Sequence, residues 1–273
     1  MNELLNTAQT AAKKAGKILM ENFGKVKSAD IRKKSQTDFL SYVDEQSEKV
    51  IINTIRAAFP DHSILAEESG ADNQKNNYTW IIDPLDGTTN YLKSIPVFAV
   101  SIAVEFQKEI VAGVILDPVH NDLFYAAKGK GAFLNGNPVR VSQETNINES
   151  FFATGFPFKL KHKVPDYLNA FKNLFDHSVG ARRMGAAAID LAYVACGKFD
   201  GFWEIGLKPW DMAAGEILIR EAGGIVTDFW NQPNHLNNSH LLTGNPEIHR
   251  QMGELIRDVF PFYKSLSEGI INE

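Results

Sequence analysis

Two carboxylates three positions apart, Asp83 and Asp86, close an apolar run in the stretch Trp80-Ile81-Ile82-Asp83-Pro84-Leu85-Asp86-Gly87-Thr88-Thr89-Asn90. Like charges this close repel unless a cation or a proton compensates them, and a divalent metal is the natural compensation. Gly87 lets backbone approach a ligand closely, and the N–H groups of Gly87, Thr88 and Thr89, if they open a helix, face an anion. The pattern predicts a metal and phosphate site at a strand end; an Asx-type turn that merely closes the strand is the plainer alternative. Glu67 and Asp211 are further acids at the ends of predicted elements. Four oxygen donors with no nearby cysteine or histidine suit Mg²⁺ rather than Zn²⁺.

The elements that must position these acids follow from periodicity. Trp80 to Ile82 favour a buried strand, and Pro84, lacking an N–H, is expected to end it. Ser63 to Ser69 is a second apolar run ending in acids, Glu67-Glu68, followed by a polar loop from Gly70 to Asn77. Leu4, Ala8, Ala11, Ala12, Ala15 and Leu19 recur at helical spacing, and a second helix is predicted from Tyr42 to just before Pro60. Its acidic opening suits the helix dipole, which alone would account for Asp44. Between these helices, Lys25 to Lys34 reads as a basic connector. Phe98 to Phe106, Ile110 to Leu116, Leu123 to Ala127 and Ala132 to Leu134 read as strands, with Gln107-Lys108 and Asn135-Gly136 as hairpin turns.

The second half alternates. Strands are predicted at Phe151 to Thr154, Phe199 to Glu204, Ile225 to Phe229 and Leu241 to Thr243. Helices are predicted at Pro165 to Phe175, Gly185 to Gly197, Pro209 to Ala222 and Pro246 to Val259. Residues 1–147 thus form an N-terminal α+β half carrying an antiparallel sheet and the acidic motif. Residues 148–273 form a C-terminal α/β half that completes the site. No Pro/Gly/Ser linker separates them, so one compact unit is expected.

Composition is that of an ordinary globular protein, and a net charge of −5 argues against free nucleic acid as the main partner. Met1 to Phe23 has lysines among its alanines and no uninterrupted apolar core, which predicts neither a signal peptide nor a membrane span, and a cytoplasmic protein. The single cysteine, Cys196, excludes an intramolecular disulfide and is expected to be a buried structural thiol.

Three motifs, Ala66-Glu67-Glu68-Ser69, Trp80 to Asn90, and Trp210-Asp211-Met212-Ala213-Ala214-Gly215 with Glu221-Ala222-Gly223-Gly224 downstream, together resemble the inositol monophosphatases. These belong to the lithium-sensitive, Mg²⁺-dependent phosphatase superfamily that also contains fructose-1,6-bisphosphatases. The resemblance spans nearly the whole chain and implies a five-layer α-β-α-β-α sandwich. It implies that Glu67, Asp83 and the Leu85 carbonyl hold one Mg²⁺, that Asp83, Asp86 and Asp211 hold a second, and that Glu67, with Glu68 behind it, helps hold a weaker third. Thr88 and Glu67 would orient the attacking water and Asp44 would reach its network. Asp86, Gly87 and Thr88 would meet the phosphate, while Gly185, Ala186, Ala187 and Glu204 would meet the rest of the substrate. Lys34 and Asp38 fall in a segment that is mobile in the family, with Lys33 competing for the lysine's role.

The reaction so implied is hydrolysis of a small phosphorylated polyol, inositol 1-phosphate first, by metal-activated water without a phosphoenzyme. Fructose-1,6-bisphosphatase activity would need a second cationic pocket, for which Lys208, Arg182 and Arg183 are available; histidinol phosphate and 3′-phosphonucleotides are further alternatives. Trp203 and Trp210 read as packing residues or as aromatic walls beside a ring. A homodimer is implied. The competing class is an interaction protein of the transcription machinery or RNA, with the basic loop Lys159, Lys161, His162 and Lys163 as its contact. The acidic balance and the lack of aromatic residues within that loop weigh against it.

Overall fold

A stripe of alanines makes the first helix thin enough to lie close to its neighbour. In the computed structural model, which describes residues 2–27, 31–35, 38–72, 74–158 and 160–260, α1 (Asn2–Asn22) buries Leu4, Ala8, Ala11, Ala12, Ala15 and Leu19. It packs along α2 (Tyr42–Ala58). Ser41 caps α2: its hydroxyl accepts from the Val43 N–H, and the Asp44 carboxylate accepts from the Ser41 N–H at 2.8 Å.

Between the two helices, β1 (Ile31–Ser35) and β2 (Asp38–Ser41) pair antiparallel, with Ile31 opposite Ser41 and Arg32 opposite Leu40. The expected basic connector is therefore a strand over its last residues. A two-stranded ribbon outside the main sheet needs no apolar alternation, which is the signal that would have revealed it. Lys33, Lys34 and Asp38 belong to this ribbon, and their side chains lie outside the described ones.

The main sheet contains β3 (Ser63–Ala66), β4 (Gly70–Ala71), β5 (Tyr78–Asp86), β6 (Ala99–Phe106), β7 (Glu109–Asp117), β8 (Asp122–Ala127), β9 (Ala132–Leu134) and β10 (Asn137–Val139). Their order is β10-β9-β8-β7-β6-β5-β3-β4. Among the described strands of this sheet only β3 and β5 run parallel. Gln107, Lys108, Asn135 and Gly136 all take positive φ, as the tight hairpin turns require. β4 occupies the start of the expected polar loop, too short to be read from the sequence.

The central strands are apolar on both faces because both faces are covered. Val100, Ile102 and Val104 of β6 join the core under α1 and α2, while Ala99 and Ala103 join the core on the opposite face. One expectation fails here: β5 runs through Pro84 to Asp86. The register with β6 slips between Asp83, opposite Ser101, and Asp86, opposite Ala99. In such a bulge the missing proline N–H deprives the ladder of nothing.

The second sheet has the order β12-β11-β13-β15-β14. Its strands are β11 (Phe151–Thr154), β12 (Gly180–Arg182), β13 (Gly201–Ile205), β14 (Ile225–Thr227) and β15 (His240–Gly244). β11 is parallel to β12 and β13, and β15 is antiparallel to β13 and β14.

The remaining helices are α3 (Thr88–Leu92), α4 (Val164–Asp176), α5 (Ala187–Ala195), α6 (Pro209–Glu221), α7 (His235–Asn238) and α8 (Pro246–Arg257). α5 and α6 contact strands of both sheets, while α4 and α8 pair with each other, α8 on the outer face of the second. The layers are thus α1/α2, main sheet, α5/α6, second sheet, α4/α8: the expected five-layer sandwich. α6 lies so close to β7 that a Cβ on Gly113 would fall 2.5 Å from the Ile217 side chain.

Candidate metal centre and cleft

Parallel pairing of β3 with β5 sets Ala66 opposite Ile82, so the chain leaves β3 at Glu67 beside Asp83, with the Glu67 N–H on the Ile82 carbonyl at 3.1 Å. Ser101, opposite Asp83 on β6, donates its hydroxyl to the Trp210 carbonyl at 3.1 Å. That contact brings the first turn of α6, and Asp211 with it, over the end of β5. Carboxylate oxygens of Asp83, Asp86 and Asp211 lie within 4.8 Å of one another. Asp211 is held by the Lys208 N–H at 2.7 Å, and Asp83 Oδ1 accepts from the Leu85 N–H at 2.9 Å. The Asx turn and the acidic cluster therefore coexist.

The field among these acids is severe. Asp83 is 1% exposed, and desolvation first, then Glu67, Asp86 and Asp211, hold its carboxyl well above the usual range. Desolvation and Glu67 push Asp86 up to about 7, against N–H groups of Ala188 and Ala187 that favour its charge. Buried, mutually repelling oxygen donors of this kind fit a hard divalent cation, which would reverse both shifts.

One face of α2 fastens the loops around the cluster. Asp44, Ser47 and Glu48, all buried, stand at helical i, i+3 and i+4 positions. Asp44 accepts from Ser41 Oγ at 2.6 Å and lies 3.4 Å from Thr88 Oγ1. Ser47 donates to the Pro84 carbonyl at 2.8 Å. Glu48 accepts from the Glu68 and Ser69 N–H groups at 2.9 and 3.0 Å, which sets the turn that carries Glu67. Thr88 Oγ1 also donates to the Leu85 carbonyl at 3.0 Å. Gly87, the N-cap of α3, has φ +90°, and a Cβ there would meet the Val97 carbonyl at 3.0 Å and Ala186 at 3.1 Å. No other residue fits that turn.

Beside the acids opens a cleft of roughly 120 Å³, lined by Asp86, Asp211, Gly185, Ala186, Ala187 and Glu204 from the expected set. Asn90 donates to the Val97 and Met184 carbonyls, both at 2.9 Å, and so places the Gly185 turn. Asp86 accepts the Ala188 N–H at 2.7 Å at the start of α5. The Glu204 carboxylate lies over Gly155, where any Cβ would fall within 2.1 Å of it. Desolvation, then Asp211, hold Glu204 well above its ordinary range, with Arg183 opposing.

Sequence reasoning passed over Thr154, Gly155, Asp190 and Leu207, which also line this cleft, and left Arg183 undecided. Asp190 had a signal: it is the single charge in α5. Arg182 instead sits over the Phe151 ring, 4.6 Å from its centroid. Trp203 is buried in the core under α4 and α8, and Trp210 packs on the α5/α6 core. Neither walls the cleft. In the basic loop Lys159 lies outside the described residues, Lys161 and His162 are exposed, and Phe156 and Phe158 just upstream are exposed too. Cys196 ends α5, only partly buried, its thiol raised by desolvation.

The model of the inositol monophosphatase family matches residues 1–261. The Nus factor SuhB of Escherichia coli K12 is 46% identical over 259 residues, 94% of this chain and 97% of that one. Among solved structures, the extragenic suppressor protein suhB from Bartonella henselae superposes with a TM-score of 0.90 at 41% identity, covering 93% of this chain and 98% of that one. The inositol monophosphatase from Anabaena (Nostoc) sp. PCC 7120 is also similar, with a TM-score of 0.84 at 42% identity, covering 95% of this chain and 97% of that one.

Proposed function

Since this chain belongs to the inositol monophosphatase family, we propose that it is a Mg²⁺-dependent hydrolase of small phosphate monoesters, inositol 1-phosphate first among them. The observation that carries this reading is the convergence of Asp83, Asp86 and Asp211 within 4.8 Å at the mouth of a cleft that contains Glu204. Glu67, Asp83 and the Leu85 carbonyl would hold one ion, and Asp83, Asp86 and Asp211 a second. Glu67 with Glu68 behind it would hold a weaker third. When bound, such ions neutralise phosphate oxygens, make water acidic enough to attack near neutral pH and stabilise the departing alkoxide.

The chain's own groups supply orientation. Thr88 has one hydroxyl proton, within reach of the Leu85 carbonyl and of the Asp44 carboxylate; whichever takes it, the hydroxyl oxygen is left to accept a proton from water. With the Glu67 carboxylate it turns that water's remaining lone pair towards phosphorus. Asp44, braced by Ser41, is the next acceptor in that network. The N–H groups of Gly87 and Thr88, at the opening of α3 where no internal ladder bond has begun, cradle the phosphate. Gly185, Ala186 and Ala187 leave space for the alcohol, and Glu204 accepts from its hydroxyls.

Asp86→Asn should lower kcat on inositol 1-phosphate at least about a hundredfold in excess Mg²⁺ while leaving a folded protein; wild-type kcat in that variant would refute the assignment. Of Lys208, Arg182 and Arg183, only Arg183 lines the cleft, which favours a monophosphate over a bisphosphate. Fructose 1,6-bisphosphate, histidinol phosphate and a 3′-phosphonucleotide assayed beside inositol 1-phosphate would rank them, and rapid turnover of one of these beside none of inositol phosphate would displace it. A cytoplasmic, lithium-sensitive homodimer completes the reading; no described helix is long and apolar enough to cross a membrane.

A second role rests on the relatives. Proteins 46% identical over nearly the full chain bear the name Nus factor, which outweighs the argument from net charge and favours association with the transcription machinery alongside hydrolysis. Retention of RNA polymerase by the immobilised chain, undiminished in Asp86→Asn, is the expected result. Absence of retention at low salt would count against it.

A further inference from the structure

The cleft contains a buried carboxylate to which the proposed chemistry gives no task. α5 is otherwise uncharged, and it lies between two sheets where a charge has no solvent face to occupy. Asp190 on this helix is 1% exposed, lines the cleft with Glu204 and Arg183, and its Oδ1 has no hydrogen-bond partner among the described residues. Buried acceptors are almost always paired in folded proteins, and those that are not are commonly completed by a ligand or water. Desolvation, then Glu204 and Asp86, also raise its carboxyl well above the ordinary range, with Arg183 opposing. Asp190 and Glu204 thus share one small chamber with Asp86, Asp211 and Arg183.

We infer that Asp190 is a specificity-determining residue: with Glu204 it forms a two-carboxylate floor that accepts hydrogen bonds from hydroxyls on the alcohol half of the ester. The inference rests on the hydrolase reading and extends it. Asp86 and Asp211 border the cleft on the phosphate side, so a group reaching Glu204 and Asp190 belongs to the leaving alcohol. A site with buried acceptors discriminates strongly against an alcohol that lacks donors, because its carboxylates would stay unpaired. Carboxylates or a second phosphate on the alcohol would meet like charge. Hydroxyls satisfy both acids.

The test compares Asp190→Ala and Asp190→Asn with the wild type on inositol 1-phosphate and on p-nitrophenyl phosphate, whose leaving group carries no further donors. The alanine variant should lower the ratio of kcat/KM for the two esters at least tenfold, mainly through KM for inositol 1-phosphate. Asparagine, which keeps one acceptor oxygen, should recover part of it. Equal losses on both esters, or an unchanged ratio, overturn the inference. Calorimetric titration of inositol 1-phosphate and of inorganic phosphate in Ca²⁺, which suits the same oxygen donors, separates the two readings. A wild type that hydrolyses neither ester overturns the hydrolase reading. A wild type that binds inositol 1-phosphate no better than phosphate, or an alanine variant that binds it as tightly as the wild type, overturns the role of Asp190.

Discussion

Asp83 is buried against three other acids, so in the metal-free protein its charge works against the fold. Asp83→Asn keeps the Oδ1 that accepts from Leu85 and removes that charge. The metal-free variant should melt at or above the wild-type temperature, by about 1–2 kcal/mol of added stability, and Mg²⁺ should no longer raise its Tm. Scanning calorimetry with and without Mg²⁺ measures both; a clearly lower metal-free Tm would mean that the repulsion is compensated in some other way. The same four acids were legible in the sequence because Glu67, Asp83, Asp86 and Asp211 each sit where an apolar run or helix begins or ends. Asp190 was passed over although it is the single charge in α5, since what a helix packs against is absent from its local pattern. Gly155 was silent: its reason for being glycine is Glu204, which is distant in sequence.

Two histidines show how an element's surroundings set its response to acid. His240 on β15 lies among Phe229 and Trp230, with ring centroids 5.4 and 5.0 Å away, and neither of its nitrogens is hydrogen-bonded among the described residues. His249 on α8 shares a 2.8 Å contact with Thr227. Desolvation lowers both to about 4 from 6.5. Above about pH 6.5 the imidazoles are neutral in folded and unfolded chains alike and add no pH dependence. Between about pH 6.5 and 4 only the unfolded chain takes up these protons, so stability falls as pH falls, by roughly 3 kcal/mol per residue at the lower end. His240→Leu should remove most of one such loss, seen as a smaller drop in urea midpoint from pH 7 to 4.5; an unaltered drop would assign the acid sensitivity elsewhere. Element boundaries were legible wherever apolar spacing was strong, as in α1, α2 and β6. The extension of β5 through Pro84 was hidden because a bulge is a relation between two strands, and the ribbon of β1 and β2 because its partner is not a core.

At the scale of the molecule, the candidate site takes Asp83 and Asp86 from the main sheet, Glu67 from the turn after β3, Glu204 from the second sheet, and Asp190 and Asp211 from the helices between them. Neither half is complete alone. We therefore expect one calorimetric unfolding transition that Mg²⁺ shifts upward as a unit, by about 2.7 kcal/mol at a hundredfold excess over its Kd. Two transitions, of which Mg²⁺ moves one, would contradict this. The layer order was implied by the family resemblance, with which an antiparallel first half and an alternating second agree, but the crossing that lays β11 between β12 and β13 depends on pairings that no local pattern encodes. The stripe of Asp44, Ser47 and Glu48 on α2 has a consequence for chain length. One residue inserted between Asp44 and Ser47 would turn the latter two about 100° away from the direction Asp44 faces, withdrawing the fastenings of Pro84 and of the Glu67 turn together. The outer face of that helix can change its letters freely, whereas between the cap and Glu48 the number of residues is what inheritance must conserve.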